Sequence, residues 1–264
     1  MAELGELLQP VNTPAEARSA SVAPDFLQGR TAFGGLMGAL CVRAMASVLE
    51  AKRPLRSLIV SLVGPVSPGE IEIEAESIRE GKAASHARAT ILQGGSIRVV
   101  ALGAFGTTRE SSLVVKPPPA PVVPTPDALW AAPFISGLTP EFSKFFEYRW
   151  PPETTPFSGQ GEGVMQGWLR LRAPIAATEP FLVALGDSWP SPALAMLSRP
   201  AAFSTLTWSL ELTGAPIDQC ADAWWMASAK VEQASDGYVR QETRYFDQAG
   251  ALVMVSRQVV TVFA

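Results

Sequence analysis

Asp187 and a pair of glycines, Gly34 and Gly35, are the residues whose types and positions most clearly allow chemistry. Gly34 opens an apolar run in the first half of the chain, and Asp187 opens a matching run 153 positions later. If each run is a helix, the macrodipole favours the carboxylate of Asp187, which then stays ionised near neutral pH and can accept a proton from water. A backbone N–H of Gly35 or Leu36 could polarise a carbonyl group, because glycine lets a ligand approach closely. The chemistry indicated is attack of an activated water molecule on a carbonyl carbon.

The offset of 153 positions recurs at a second landmark. The turn at Gly94-Gly95, between two strand-like runs, corresponds to the turn from Asp247 to Gly250. Two landmarks with one offset indicate a duplicated scaffold. Because only the second copy carries the carboxylate, we expect a single working site.

The composition is that of a globular protein. The chain has 264 residues, 47% hydrophobic and 17% charged, enough for one large domain or two smaller ones. The net charge of −4 offers no basic surface to nucleic acid or to an anionic membrane. The apolar stretches are shorter than the roughly 20 residues of a bilayer span, and the N-terminus is acidic, so we expect a cytoplasmic protein. The two cysteines, Cys41 and Cys220, lie far from other ligand residues in sequence, so neither a disulfide network nor a metal site is predicted.

Hydrophobic periodicity predicts a helix and then an antiparallel meander in each half. Residues 32–49 form the strongest helix pattern in the sequence. A shorter helix is predicted to begin near Asp187, with Pro190 and Pro192 tolerated only in its first turn. Eight strands are predicted, at 56–66, 70–79, 84–93, 96–107, 202–212, 223–233, 237–246 and 251–263.

A proline-rich segment separates the two halves. The prolines between Pro117 and Pro126 exclude this segment from a helix interior or a sheet ladder, so it is interpreted as an extended tether. The predicted organisation is an N-terminal unit of residues 1–115, a linker of 116–135 and a C-terminal unit of 136–264. Either unit alone would expose sheet edges and an apolar face, so the two are expected to pair edge to edge.

The glycine pair lies in a run that resembles the first central helix of the type II (TesB-like) acyl-CoA thioesterases: Arg30-Thr31-Ala32-Phe33-Gly34-Gly35-Leu36-Met37-Gly38-Ala39-Leu40. Pro68-Gly69, the hairpin from Arg79 to Lys82 and the run from Phe246 to Val253 resemble the same family in the same order. The resemblance implies an α+β double hotdog fold, two fused units whose antiparallel sheets each wrap a central helix. It also implies hydrolysis of an acyl-CoA thioester to a carboxylic acid and CoA, without a cofactor, by a homodimer or higher homo-oligomer.

The resemblance further implies three catalytic residues. In this family an aspartate, a threonine and a glutamine of the second hotdog hold and activate a water molecule, and the similar positions here are Asp187, Thr205 and Gln258. Gly34, Gly35 and Leu36 would then bind the substrate and polarise its carbonyl oxygen, and the acyl chain would lie between helix and sheet.

Each of these residues also has a purely structural interpretation. Asp187 is a suitable N-cap, and the glycine pair suits close packing of a helix on a sheet. Thr205 alternates with Thr207 on what reads as an exposed polar strand face. Gln258 shares its strand face with apolar residues, where a buried amide needs partners of any kind.

Two functions therefore remain open from the sequence. One is an acyl-CoA thioesterase, and the alternative is a non-catalytic acyl-CoA-binding or scaffold protein of the same fold. A serine hydrolase is disfavoured, because His86 is the only histidine in the chain and no nucleophile elbow is present.

Overall fold

The computed structural model describes residues 4–214, 217 and 219–263. Residues 1–3 of the acidic N-terminus and residue 264 of the predicted C-terminal unit lie outside this range. The α-helices are α1 (Leu4–Leu7), α2 (Gly34–Val48) and α3 (Glu179–Leu185). Short 3-10 helices cover Ala15–Ala17, Pro24–Phe26, Pro126–Ala128, Glu141–Phe145, Pro152–Thr154 and Pro192–Met196.

Strands make up most of the regular structure. In chain order they are β1 (Ser19–Val22), β2 (Leu27–Gln28), β3 (Thr31–Ala32), β4 (Leu55–Leu62), β5 (Gly69–Glu80), β6 (Ala84–Gln93), β7 (Ser96–Gly106), β8 (Trp130–Ala132), β9 (Phe146–Trp150), β10 (Val164–Leu171), β11 (Ala202–Leu212), β12 (Trp225–Ser235), β13 (Tyr238–Phe246) and β14 (Leu252–Phe263).

Twelve of these strands form one antiparallel sheet with an internal symmetry. Their order is β1-β5-β6-β7-β4-β11-β14-β13-β12-β10-β9-β8, while β2 and β3 form a separate ribbon. From the centre outward, the first half runs β4-β7-β6-β5 and the second half runs β11-β14-β13-β12, so the two halves have the same order of strands. The halves join where β4 pairs with β11, from Ser57↔Glu211 to Ser61↔Thr207. This arrangement confirms the predicted double hotdog of the α+β class.

The eight predicted strands are confirmed within a few residues. Their boundaries lie at local turn signals, such as Gly94 and Gly95, whose positive φ values of 59° and 74° suit a tight hairpin between β6 and β7. The predicted helix at 32–49 is α2, which begins at Gly34 and ends at Val48. Local patterning was sufficient here because strand alternation and turn chemistry agree.

Helix α2 is the centre of the hydrophobic core. It packs against β5, β6 and β7 on one side and against α3 on another, so Leu36, Met37 and Leu40 are almost fully buried. Each such side chain contributes roughly 1.5–3 kcal/mol when removed from water. This burial fixes the position of the N-terminal end of α2, where Gly34 and Gly35 lie.

The predicted start of a helix near Asp187 is wrong, because α3 ends before this residue and only the 3-10 helix Pro192–Met196 lies in the predicted span. Thr178 is the N-cap of α3 and accepts a hydrogen bond from the amide of Phe181. Gly186 ends the helix, and the Asp187 amide donates to the carbonyl of Ala184 in the following turn. A Thr N-cap followed by a proline in the first turn is a strong start signal, and it outweighs the apolar run after Asp187.

The region between the predicted units contains structure that the sequence did not indicate. No helix or strand covers residues 107–125, but Trp130–Ala132, inside the predicted linker of 116–135, forms β8 and pairs with β9. The proline-rich segment contacts the second half, where the indole of Trp168 donates a hydrogen bond to the carbonyl of Pro124 at 2.8 Å. The boundaries at 115 and 136 stay a prediction.

Candidate active site

Asp187 lies where the two halves of the molecule meet. It follows the C-terminal end of α3, and its carboxylate accepts a hydrogen bond from the backbone N–H of Gly35 near the start of α2. The first intrahelical bond of α2 runs from the Met37 amide to the carbonyl of Phe33, so the N–H groups before Met37 point out of the helix. The carboxylate therefore faces the positive end of a helix dipole, but the helix belongs to the other half.

The two glycines let this approach take place. A Cβ atom at Gly34 would lie 2.8 Å from Oδ2 of Asp187 and 3.1 Å from Cδ1 of Leu62. A Cβ atom at Gly35 would lie 2.7 Å from the carbonyl oxygen of Ala184, in the last turn of α3. The glycine pair thus permits close packing of the two helices, which brings the carboxylate to the amide, and its role in substrate binding stays a prediction.

Gln258 is the second partner of the carboxylate. Its Nε2 atom donates a hydrogen bond to Oδ1 of Asp187. Gln258 lies on β14 and pairs with Trp208 on β11 and Gln241 on β13. The structure therefore brings together two of the three residues that the sequence singled out, and it gives the half-buried amide of Gln258 a carboxylate acceptor.

Two further polar residues complete a network that sequence reasoning missed. Oε1 of Gln258 accepts from Nε2 of Gln241 at 2.9 Å, and Oε1 of Gln241 accepts from Oγ of Ser191 at 2.5 Å. Gln241 is only 6% exposed. A signal was present, because Gln241 alternates with Val239 and Tyr245 on one strand face and is a polar residue on an apolar surface, as Gln258 is.

Thr205 shares a sheet face with Gln258, contrary to the exposed face assigned to it. A β-bulge at Leu206 shifts the register, so Thr205 pairs with Val260 while Thr207 pairs with Val259. The bulge thereby places Thr205 on the side of the sheet that carries Trp208 and Gln258. Among the described residues, no hydrogen bond joins its hydroxyl to Asp187 or Gln258.

Burial changes the acidity of the central carboxyl group. Desolvation raises the pKa of Asp187 from its ordinary value to about 7, although the hydrogen bonds from Gln258 and Gly35 act in the opposite direction. The expectation that a helix N-terminus keeps this group ionised near neutral pH was therefore wrong, since a pKa of about 7 leaves a large share of it protonated there. The dipole and the donors lower the pKa, but removal from water is the larger effect.

Two buried tyrosines lie near the carboxylate. The hydroxyl of Tyr148 on β9 donates to the backbone carbonyl of Ser188 at 3.1 Å. The pKa values of Tyr148 and Tyr245 are both raised, first by burial and then by the charge of Asp187. Tyr148 also packs on Trp189, with ring centroids 6.3 Å apart. The strand β9 that supplies Tyr148 lies in a segment for which the sequence made no site prediction.

Trp208 fills the layer between the two helices and the sheet. Its indole would lie 2.7 Å from a Cβ atom at Gly38 in α2 and 3.3 Å from one at Gly186 after α3. Its Nε1 atom donates to Oγ of Ser256 at 2.8 Å, and the residue is 2% exposed. Trp208 therefore occupies part of the layer between helix and sheet, beside Gln258.

The described residues contain no group of three or more histidine, cysteine or acidic side chains arranged for a metal ion. Cys41 and Cys220 are both free thiols. None of the described helices is long and apolar enough to cross a membrane.

The twelve-stranded sheet with its two central helices defines a protein of the double hotdog class. Profiles of two family domains match almost the whole chain: the acyl-CoA thioesterase N-terminal domain matches residues 22–107, and the acyl-CoA thioesterase C-terminal domain matches residues 120–262. The chain belongs to the acyl-CoA thioesterase family.

Solved structures show the same fold at low sequence identity. A conserved hotdog protein of unknown function from Alicyclobacillus acidocaldarius has a TM-score of 0.84 and 23% identity, with 94% of each chain covered. The acyl-CoA thioesterase II TesB2 of Mycobacterium marinum has a TM-score of 0.78 and 17% identity, with 99% of each chain covered. The tesB protein of Mycobacterium avium subs. paratuberculosis has a TM-score of 0.75 and 18% identity over 100% of both chains. A search of curated proteins gave no significant match.

Proposed function

We propose that this protein hydrolyses an acyl-CoA thioester to a carboxylic acid and CoA, with Asp187 as the base that activates water. One observation carries the proposal. A half-buried carboxylate with a pKa of about 7 is held between the Gln258 amide and the N-terminal end of α2. A base with a pKa near the working pH combines a large ionised fraction with a strong tendency to take a proton.

The proposed first step is attack of water on the thioester carbonyl carbon. Asp187 takes one proton of the water as the new C–O bond forms, and the carbonyl π electrons move onto oxygen. Gln258 and Thr205 hold the water, Gln258 from beside the carboxylate and Thr205 from the same sheet face. The tetrahedral intermediate then expels the thiolate of CoA, which receives the proton from the Asp187 carboxyl group.

The developing oxyanion requires a donor that is not already engaged. The Gly35 N–H donates to Asp187, so its proposed role is to hold the base. The next N–H of α2, that of Leu36, also precedes the first intrahelical bond and is the better candidate for the oxyanion. Gly34 contributes by leaving open the space in which the carbonyl group meets the carboxylate.

Trp208 limits the depth available to the acyl group in this proposal. Its indole packs between Gly38 and Gly186, and it pairs with Gln258 across the two strands. An acyl chain that entered the layer between helix and sheet would have to displace the indole. We therefore propose that short acyl groups are preferred over long ones.

A thiol-release assay tests this function directly. Purified protein is supplied with short, long, branched and aromatic acyl-CoAs, and free CoA is detected with a thiol reagent alongside Asp187→Asn as a matched control. We expect turnover by the unaltered protein, best on short chains, and loss of about a hundredfold or more in the variant. Tight binding of a CoA thioester without hydrolysis of any member of the panel would instead identify a non-catalytic acyl-CoA-binding protein.

A further inference from the structure

Four polar side chains form a continuous series of hydrogen bonds. Its first and last members both lie in the turn after α3. Ser191 Oγ donates to Gln241 Oε1, Gln241 Nε2 donates to Gln258 Oε1, and Gln258 Nε2 donates to Asp187. Asp187 and Ser191 lie four residues apart in the turn after α3, while the two glutamines face each other across β13 and β14. The loop that carries the proposed base is thus fastened to the sheet through two amides.

We propose that Gln241 and Ser191 are positioning residues, which fix the orientation of the Gln258 amide so that its Nε2 atom faces Asp187. This inference rests on the proposed function, in which the Asp187 carboxylate is the base.

The donors and acceptors of the chain allow only one consistent orientation for an ionised carboxylate. A carboxylate only accepts hydrogen bonds, so Gln258 must present its NH₂ group to it. Gln258 Oε1 then needs a donor, which is Nε2 of Gln241, and Gln241 Oε1 needs a donor in turn, which is the hydroxyl of Ser191. The Ser191 hydroxyl therefore fixes the orientation of the Gln241 amide, which in turn fixes the orientation of the Gln258 amide beside the carboxylate.

The reversed chain would suit only a protonated Asp187. If both amides turned over, Gln258 Oε1 would face the carboxyl group and would need its O–H as a donor. Holding Gln258 with its Nε2 atom toward Asp187 therefore favours the ionised carboxylate. The hydrogen bond from Gln258 acts in the same direction, because it lowers the pKa of Asp187. If the Gln258 amide is free to turn over, the pKa of Asp187 should rise.

The surroundings make this effect measurable. The titratable groups that face Asp187 are the phenols of Tyr148 on β9 and Tyr245 on β13, both with pKa values raised above the ordinary range. The charged Arg172 acts on Tyr148, and α2 contributes only backbone N–H groups. Both phenols are neutral near pH 7, so a change in that range reports on Asp187. Gln241 itself is almost inaccessible to water, which cannot replace its amide without reorganisation.

The experiment compares five variants of the full chain, one of them the rescue variant Ser191→Thr. Gln241→Met keeps the length of the side chain but cannot donate to Gln258, Gln241→Glu offers only acceptors once ionised, and Ser191→Ala removes the terminal donor. The control is Gln166→Met, because Gln166 forms a similar amide-to-hydroxyl bond with Ser228 at 3.0 Å between β10 and β12. The readouts are kcat and KM from pH 5.5 to 9.5, thermal unfolding, and the carboxyl ¹³C shift of Asp187, assigned with Asp187→Asn.

We expect the midpoint of the Asp187 titration to rise by about one pH unit in Gln241→Met, further in Gln241→Glu and less in Ser191→Ala. At pH 7, kcat should fall about fivefold in Gln241→Met with KM changed less than about twofold, and it should recover at higher pH. Ser191→Thr, which restores a hydroxyl, should restore the titration, and Gln166→Met should match the unaltered protein. A loss of unfolding temperature alone, with titration and pH profile unchanged, would overturn the inference and leave Gln241 a structural residue.

The carboxyl resonance separates this inference from the proposed function. A protein that hydrolyses none of the acyl-CoAs but still shows the shifted titration in Gln241→Met has lost the proposed function and keeps the positioning network. If Gln241→Met does not fold, Ser191→Ala and Ser191→Thr carry the test, because a hydroxyl at the loop surface is a smaller change. An unchanged carboxyl titration in the folded Ser191→Ala would then refute the inference.

Discussion

The backbone N–H of Gly35 donates a hydrogen bond to the carboxylate of Asp187, joining the start of one central helix to the end of the other. Neither half contains this pair alone. The first half supplies a helix terminus that glycine leaves uncovered, and the second supplies the carboxylate and the strand that carries Gln258. The proposed site therefore lies at the junction of the two repeated halves and needs residues from both.

Replacing the carboxylate should remove activity without weakening the fold. Asp187→Asn is expected to lower kcat by about a hundredfold or more, because an amide cannot accept the proton of water. It should also unfold at a higher temperature than the unaltered protein above pH 7, since the variant no longer buries a charge. Scanning calorimetry and the thiol-release assay on the same preparations measure both effects.

The pH dependence of that stability difference has a definite sign. The pKa of Asp187 is about 7 when folded, against about 3.9 for an ordinary aspartate, so the folded state binds the proton more tightly. Between these values the folded state holds more protons, and the stability of the unaltered protein falls as pH rises. The gap in unfolding temperature between the two proteins should widen from pH 4 to 7 and stay constant above. A constant gap over the whole range would contradict the raised pKa.

The rate of hydrolysis should follow the same group. Because the base must be ionised, kcat/KM is expected to rise tenfold per pH unit below about 7 and to level off above. Steady-state kinetics on one acyl-CoA from pH 5 to 9, with a thioester stable to alkaline hydrolysis, give the midpoint. An acid limb centred near pH 4 would show that the carboxyl group is solvated during turnover.

Adding one carbon at each glycine should separate activity from stability. Gly34→Ala would place a methyl group against Oδ2 of Asp187 and the tip of Leu62, both of which can move, so we expect a folded protein with kcat reduced tenfold or more. Gly35→Ala meets the backbone carbonyl of Ala184, which cannot move without shifting α3, so it should lose about 1–3 kcal/mol of unfolding free energy.

Gly106→Ala is the matched control for both glycine variants, because its Cβ atom would meet neighbours at 3.4 Å or more. Urea unfolding and kinetics on the three proteins test the contrast. Equal loss of stability in Gly34→Ala and Gly35→Ala would argue that the pair serves packing alone.

Local sequence patterns predicted the strands well because their determinants are local. The hairpin between β6 and β7, for example, follows from alternating residues on both sides of Gly94-Gly95. The helix beside Asp187 could not be placed in this way. The offset from Gly34 implied that Asp187 starts a helix, whereas the cap signal at Thr178 lies upstream and places Asp187 at the opposite end.

The environment of the site was less predictable than its members. Asp187 and Gln258 were identified from the chain alone and from family resemblance, but the bulge at Leu206 that brings Thr205 to their side has no local signature. The raised pKa of Asp187 depends on burial beside Tyr148 and Tyr245, which come from distant strands. The bulge and the raised pKa both depend on tertiary contacts, so hydrophobic periodicity and residue propensity carry no information about them.

The proposed role of the Thr205 hydroxyl in holding water can be tested by substitution. Among the described residues, no hydrogen bond joins this hydroxyl to Asp187 or Gln258. Thr205→Val keeps the shape of the side chain opposite Val260 and removes only the hydroxyl, so the unfolding temperature should change by a few degrees at most. We expect kcat to fall about tenfold through loss of a water-holding group, and Thr205→Ser to retain most activity. Full activity of Thr205→Val would make this residue part of the packing and leave Gln258 as the sole side chain that orients the water.

Trp208 is expected to set the length of acyl chain that the protein accepts. Trp208→Leu opens space between Gly38 and Gly186, so the ratio of kcat/KM for long over short acyl-CoAs should rise by tenfold or more, since each buried methylene contributes about 0.8 kcal/mol. The cavity will also cost about 2–5 kcal/mol of stability. Trp225→Leu is the control, because Trp225 is equally buried but packs on Phe181 of α3, with ring centroids 5.8 Å apart. A similar change of preference in both variants would show that the loosened core, and not the space beside Gln258, admits the longer chain.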